Sequence, residues 1–317
     1  MYDQIVKTVF SNLNFENFSV DNSSLNLIFV CGGLVDASEA IPSTMRGQLY
    51  DYTARKHESL HDSLKMAESF KDYIENGEYE DLLFFEHDLA SISSLVIIFL
   101  ESAGSLVELG IFSTEKNFYE KLCVIAPEEH VEKEDSFIYL GPLKRIKSEV
   151  DNSVLIYPFD SEKKKFEDAT WKEICSDLDL KLQEKNKFDK FKATEFGHIC
   201  MLILEIINIS YPIQLTEIES TLQLLGISTH QKRLTQIIYL LITLDLILKK
   251  KRSSNTYYFP QKKLSKKTYV RLGSYNDKTP FDKTKNIIKL KSELLSKLQE
   301  KEERRIKLLK IYGEENE

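Results

Sequence analysis

The residues best placed to do chemistry fall in one run, Glu101-Ser102-Ala103-Gly104-Ser105-Leu106-Val107-Glu108-Leu109-Gly110. It follows the apolar stretch Ser94 to Leu100, which reads as a buried strand ending in a tight turn. A strand that ends in Gly-Ser and turns into a helix sets backbone N–H groups and a helix N-terminus at the mouth of a sheet, where an anion can sit. Glu108 then lies within the following helix, facing the same cavity. A carboxylate there can attack or stabilise the sugar carbon next to a nucleotide's base. The plainer alternative leaves Gly104 and Gly110 as packing glycines and Glu108 in solvent.

A second constellation, His57-Glu58-Ser59-Leu60-His61, matches His-Glu-x-x-His. On a continuous helix its histidines share one face and could ligate zinc, with Glu58 as general base and Glu78, Glu80 or Glu86 as a third ligand. This gives a metallopeptidase as the competing enzyme class. Leu60 and Leu64 share that face, which also fits two partly buried structural histidines, and no metal site is assigned. His87, His130, His198 and His230 are scattered and form no triad pattern.

The elements that must position these groups read as an alternation. Apolar runs at Leu25 to Cys31 (ending in Gly32-Gly33), Ser94 to Leu100, Leu122 to Ala126 and Val154 to Tyr157 predict strands. Helical spacing over Gln48 to Tyr73, Glu78 to Ile92 and Ser105 to Glu115 lies between them. The pattern predicts an α/β fold with a Rossmann-like, doubly wound parallel sheet and ligands beyond the strand C-termini. The expected organisation is an α/β domain over 1–160, a helical linker pair over 161–193, a winged-helix domain over 194–272 and a charged helical tail over 273–317. The winged helix rests on three amphipathic segments, Glu195 to Ile209, Leu215 to Leu225 and Thr229 to Leu246, followed by a hairpin around Arg252-Ser253-Ser254-Asn255. Ile287, Leu290, Leu294 and Leu298 continue to Ile306 and Leu309 in a long helix seeking a partner.

Composition bounds the rest. The chain has 317 residues, 42% of them hydrophobic, with 43 Lys+Arg against 50 Asp+Glu and a net charge of −7. That excludes collagen-like or wholly disordered chains and nucleic-acid binding by the whole surface. From Lys249 to Asn276 there is no acidic residue, so Lys250, Lys251 and Arg252 on the wing, with Lys232 and Arg233 at the start of the third helix, are the candidate nucleic-acid contacts. A protein-docking module with a basic rim is the alternative. Cys31, Cys123, Cys175 and Cys200 are scattered and read as buried thiols. No apolar run reaches the ~20 residues of a bilayer span, and the opening Met1-Tyr2-Asp3-Gln4 lacks a basic flank, so a cytoplasmic protein without membrane contact is expected.

Gly104, Ser105, Glu108, Leu109 and Gly110 resemble the nucleoside deoxyribosyltransferase motif, and Asp88-Leu89 resembles that superfamily's segment whose Asp serves in proton transfer. Ser102 stands where the transferases carry an acid; Glu101 lies one residue earlier. A narrower resemblance covers about Asn26 to Lys147. Cys31-Gly32-Gly33, the run from Glu101 to Ser113, and Ser136-Phe137-Ile138 with Gly141-Pro142-Leu143-Lys144-Arg145 are similar to the N-glycosidase effectors of bacterial retrons, with Ala103 replacing their usual proline. The resemblance implies an antiphage toxin that cleaves NAD, as substrate rather than cofactor, or a related nucleotide or DNA base. It also implies control by a reverse transcriptase with its multicopy single-stranded DNA, and assembly into a homo-oligomer or filament. Glu108 is then nucleophile or oxocarbenium stabiliser, and Glu86 or Asp88 orients water. Gly32, Gly33, Gly104 and Ser105 cradle phosphate or ribose, while Glu101 and Ser102 bind ribose hydroxyls. A third class of protein keeps this architecture without catalysis: a regulator that senses a nucleotide.

Overall fold

The computed structural model describes residues 2–36, 39, 42–67, 78–128, 136–160, 162, 165–184, 186–276, 287–301 and 303–314. In chain order the strands are β1 (Ser19–Asp21), β2 (Ile28–Cys31), β3 (Leu64–Lys65), β4 (Leu95–Phe99), β5 (Leu122–Pro127), β6 (Val154–Tyr157), β7 (Phe188–Lys190), β8 (Ile247–Arg252), β9 (Asn255–Pro260) and β10 (Val270–Arg271). The helices used below are α1 (Tyr2–Phe10), α2 (Met45–Lys56), α3 (Glu58–His61), α4 (Leu82–Ile92), α5 (Ala103–Phe112), α6 (Lys144–Glu149), α7 (Asp168–Gln183), α8 (Phe196–Ser210), α9 (Leu215–Leu224), α10 (Gln231–Thr243), α11 (Ile287–Lys301) and α12 (Glu303–Glu314). The chain divides into two compact units, one of Leu25–Lys71 and Glu86–Lys185, the other of Met1–Ser24, Asp72–Phe85 and Asn186–Glu317.

The first unit is built on a five-stranded sheet in the order β3-β2-β4-β5-β6, with every pairing parallel. Ile28 sits opposite Leu95, Val96 opposite Leu122, and Val124 opposite Val154. β2, β4 and β5 are buried at every position, which is why their sequences are unbroken apolar runs rather than alternating ones. Ile28, Val30, Leu95, Ile97 and Phe99 share a core with Met45, Leu49 and Tyr52 of α2 and Trp171, Ile174 and Leu178 of α7. On the opposite face Phe29 meets Phe112 of α5 edge-on, with ring centroids 6.4 Å apart. The chain leaves β2 towards β3 on one side, then continues from β4 towards β6 on the other. The order of strand addition therefore reverses between β2 and β4, where open parallel sheets bind ligands beyond their strand C-termini.

Two expectations change here. The helix expected over Gln48 to Tyr73 stops at Lys56, because His57 adopts φ −149°, ψ 64°, and Leu64–Lys65 joins the sheet edge as β3. Residues 68–73 of that expectation lie outside the described residues. The expected helix pair over 161–193 is one helix, α7, followed by strand β7; α7 buries Trp171, Ile174, Cys175 and Leu178 in the sheet's core. Apolar spacing shows that a helix has a buried face but not what that face meets.

The second unit centres on α8, whose residues from Ile199 to Ser210 are all buried. A helix apolar all round must be surrounded. α9 ends at Gly226, whose φ of 79° closes the helix while Ile227 N–H donates to Leu222 O at 2.9 Å. α10 follows, then the antiparallel hairpin of β8 and β9, which Ile213 extends by a bridge to Tyr258. A separate sheet in the order β10-β1-β7 pairs Ser19 with both Arg271 and Lys190. The C-terminal segment forms two helices, α11 and α12, and they find their partner within this unit. Leu290, Leu294 and Leu298 are buried, the Arg305 guanidinium holds Glu217 and Pro212 O, and Tyr312 stacks on Phe259 at 4.8 Å. Among the described residues no helix is long and apolar enough to cross a membrane.

Candidate active site at the sheet's reversal point

The turns after β2 and β4 face each other at the reversal point, and a carboxylate joins them. Glu101 accepts the Gly33 N–H at 2.7 Å and the Arg46 N–H at 3.0 Å on Oε1, and the Met45 N–H at 2.5 Å on Oε2. Two of these donors belong to the first turn of α2, whose amides have no partner inside the helix. That turn carries no acidic residue of its own, so Glu101 supplies from the neighbouring strand the negative charge a helix N-terminus favours. Thr44 completes the cap by accepting the Gly47 N–H at 3.1 Å.

The glycines at this place answer to close packing. A Cβ on Gly32 would stand 2.7 Å from Glu101 Oε1 and 2.8 Å from Arg46 Cβ; one on Gly33 would stand 2.6 Å from Thr44 Cγ2. Arg46 is buried, and its guanidinium donates from Nε to Gly33 O at 2.7 Å and from Nη1 to Val30 O at 3.3 Å. Arg46 was not among the residues singled out from sequence. A basic residue in a helix's first turn, where the dipole favours an acid, is the local signal that could have found it.

α5 begins with a reciprocal cap. Ser102 Oγ accepts the Ser105 N–H at 3.1 Å and donates to Gly32 O at 3.2 Å, while Ser105 Oγ accepts the Ser102 N–H at 3.2 Å. Ser105 is fully buried; its hydroxyl serves the cap. Gly104 is exposed, and a Cβ there would meet only Ser102 Oγ at 3.8 Å. Glu108 lies four residues on, so the two positions share a helix face.

Glu108 is part-buried and shares its surroundings with the end of β2. The buried Cys31 thiol donates a hydrogen bond to its carboxylate, and the thiol is pushed well above its usual range by burial first, then by the negative charges of Glu108 and Glu86, with Arg46 pulling the other way. Cys31, Glu108, Glu86 and Arg46 thus form one electrostatic cluster. Asp88, two residues beyond Glu86 on α4, points to another side of the helix. It is fully buried and interacts with His87, whose Nδ1 lies 3.9 Å from Asp88 Oδ1. That contact, with Glu115 at 3.0 Å from Nε2, raises the His87 pKa against the opposing effect of burial. The structure therefore brings together Gly32, Gly33, Glu101, Ser102, Gly104, Ser105, Glu108 and Glu86, and turns Asp88 elsewhere.

The histidine motif does not form a shared ligand face. His57 caps α3 in a non-helical conformation, and its Nε2 lies 2.9 Å from Asp179, while His61 Nδ1 lies 3.1 Å from Thr53 Oγ1. Among the described residues no group of three or more His, Cys, Asp or Glu side chains is placed to hold a metal ion. In the second unit, Lys232 pairs with Glu80, and Arg233 lies over Phe84 and Phe196, with its guanidinium carbon 4.8 and 3.8 Å from the ring centroids. Lys250, Lys251 and Arg252 lie on β8, with Lys250 Nζ 5.9 Å from the Tyr312 ring centroid.

A five-stranded parallel sheet flanked by helices, with a capped helix start and carboxylates at its reversal point, defines a mixed α/β protein. Residues 42–250 match the STM3845 retron effector protein family, and the chain belongs to that family. A retron Ec73 protein of Escherichia coli is 33% identical over 129 residues, 40% of this chain and 39% of the relative. A retron Ec86 protein of the same organism is 28% identical over 194 residues, 57% of this chain and 61% of the relative. Both bear provisional names as ribosyltransferase/DNA-binding proteins. The alignments thus span less than two thirds of either relative's own length.

Proposed function

We propose that this retron effector is a nucleotide N-glycosidase with a nucleoside deoxyribosyltransferase-like fold, acting on NAD or a related nucleotide in antiphage defence. The observation that carries the reading is the part-buried Glu108 of α5 at the sheet's reversal point, in one electrostatic cluster with Cys31 and Glu86. The ribosyltransferase names of the two relatives support the same bond type.

In this reading the bond from C1′ to the pyridinium nitrogen breaks and its electron pair leaves with nicotinamide, a neutral base that needs no general acid. Glu108 bonds to C1′ or stabilises the oxocarbenium charge. Water then adds its hydroxyl to C1′; where Glu108 has bonded there, that C1′–O bond breaks and its electron pair returns to the carboxylate, while the proton of the water passes to Glu86. The start of α5 and the Gly32-Gly33 turn take the diphosphate. Glu101 and Ser102 hold those turns in place, and Asp88 supports His87, which ties α4 to Glu115. The second unit, with three helices and a basic hairpin in winged-helix order, binds the retron's multicopy single-stranded DNA through Lys232, Arg233, Lys250, Lys251 and Arg252, and its reverse transcriptase completes the complex in the cytoplasm. Homo-oligomeric or filamentous assembly accompanies activity.

The test is to incubate purified protein, with and without those retron partners, with NAD and with deoxynucleosides, and to follow free base by chromatography. Glu108→Gln is expected to lower release at least about a hundredfold, the scale of removing one group that stabilises transition-state charge. Unchanged release by that variant refutes the assignment. No release from any substrate leaves a nucleotide-sensing regulator.

A further inference from the structure

A cleft of about 480 Å³ opens at the start of α10, lined by Glu80, Asp81, Phe84, Lys232, Arg233 and Gln236 among others. Residues 78–84 lie along α10 and form its other wall. Gln236 Nε2 donates to Glu78 O at 3.1 Å, Lys232 pairs with Glu80, and the buried Tyr79 ring lies 6.1 Å from that of Tyr239. Lys232, Gln236 and Tyr239 are spaced i, i+4, i+7, so the covered strip is a single helix face. A helix with its side chains is about 10–12 Å across and a major groove about 12 Å wide. With a second segment laid along it, that face cannot enter a duplex groove.

What the covering leaves is a nucleotide-sized recess with a stacking wall. Phe84 is 41% exposed and continues into Leu82 and Leu83, 41% and 55% exposed. Arg233 is held over Phe84 and Phe196, while Lys232 projects to solvent with 62% of its side chain exposed. His230 precedes α10 without a side-chain capping bond, so the helix's first amides lie at the same recess. An aromatic platform, a guanidinium held over it and an exposed ammonium beside helix amides match an unpaired nucleotide, base on the ring and phosphate on the cations.

We propose that the start of α10 binds unpaired nucleotides of a single-stranded nucleic acid, one base stacking on Phe84 and its phosphate displacing Glu80 from Lys232. This rests on reading the second unit as a nucleic-acid-binding domain. The Glu80–Lys232 pair is exposed on both sides, and such pairs contribute little to stability, so a phosphate can replace the carboxylate without loss of fold.

The experiment is fluorescence anisotropy of the full chain with a labelled mixed-sequence single-stranded 12-mer and with the same sequence as a duplex, over a series of salt concentrations. The single strand is expected to bind at least tenfold tighter. Phe84→Ala should weaken it roughly tenfold, the scale of one lost base stack, with unchanged circular dichroism. Glu80→Gln should tighten binding several-fold and steepen the salt dependence by about one released counterion. Equal binding of strand and duplex, or no effect of either substitution, overturns the inference and leaves the domain reading standing. No binding of either probe overturns the domain reading itself.

Discussion

Glu101→Gln separates two roles for the carboxylate between the turns. If Glu101 holds the site together, the amide substitution disturbs the fold; if its role is to bind ribose hydroxyls, it disturbs only catalysis. Both oxygens of Glu101 face backbone donors: Oε1 takes Gly33 and Arg46, and Oε2 takes Met45. Glutamine offers one oxygen and one NH2. Its better rotamer keeps the oxygen on the Gly33 and Arg46 amides and turns the NH2 towards the Met45 N–H, donor against donor. An unsatisfied donor at a part-buried site costs about 1–3 kcal/mol. Losing the negative charge at the start of α2 adds about 0.3–1 kcal/mol. The expected destabilisation is about 1–4 kcal/mol, which for a unit of this size lowers the melting temperature by roughly 3–15 °C. Differential scanning calorimetry beside the base-release assay decides the matter. An unchanged melting temperature with abolished release refutes the clamp and returns Glu101 to the substrate.

Gly32→Ala should destabilise the first unit by about 1–3 kcal/mol, the usual cost of overpacking, because its Cβ meets Glu101 and Arg46 inside 3 Å. Gly110→Ala, with nothing within 4 Å in the middle of α5, should instead stabilise it by about 0.5–1 kcal/mol; thermal melts of the two variants check the contrast. Gly104→Ala should leave the melt near wild type, since the added methyl would meet only Ser102 Oγ, at 3.8 Å, and should lower base release at least tenfold under the proposed function, in which the substrate reaches Glu108 across the start of α5. Glu205 on α8 accepts the Tyr269 and Val270 N–H groups at 2.6 and 3.2 Å, and burial pushes its carboxyl up from 4.5 to about 7 against those bonds and Lys291. The folded state then holds the extra proton between those values. This contribution to stability is full below about pH 4.5 and is lost as pH rises through about 7, a span worth about 3 kcal/mol. Urea midpoints across that range should show the decline in wild type and a flatter profile in Glu205→Gln.

The parts of the fold that were legible are those whose burial is written locally. β2, β4 and β5 showed as apolar runs because helices cover both faces of the sheet, and α8 to α10 with their hairpin showed by spacing and by Gly226. The parts that were not legible depend on distant partners. β3 is too short for any period and exists because Leu64 pairs with Ile28; β1 is carried by Phe188–Lys190 and Val270–Arg271, far away in the chain. Leu60 and Leu64 prolong the apolar stripe of α2, so the sequence pattern runs on where the backbone breaks at His57. That break also separates the two histidines of the zinc-like motif. Asp88 and Glu86 are adjacent alternatives in sequence, and only the helix geometry divides them between His87 and the Cys31–Glu108 cluster.

The run at Glu101 held chemistry in its residue types, but the division of labour within it follows from the backbone groups around it. Two helix starts, those of α2 and α5, converge on the reversal point, and each leaves amides to satisfy. α2 lacks an acid of its own and draws on Glu101. α5 is capped by Ser102 and Ser105, so it needs no carboxylate. Of the acids near the mouth, Glu101 is held by three amides, Glu86 is 8% exposed and Asp88 is fully buried beside His87. Glu108 alone among these combines partial exposure with an exposed glycine, Gly104, one turn earlier on the same helix. Under the proposed function the anomeric carbon reaches Glu108 across the start of α5, so full base release by a protein with a larger side chain at position 104 would move the nucleophile to another carboxylate.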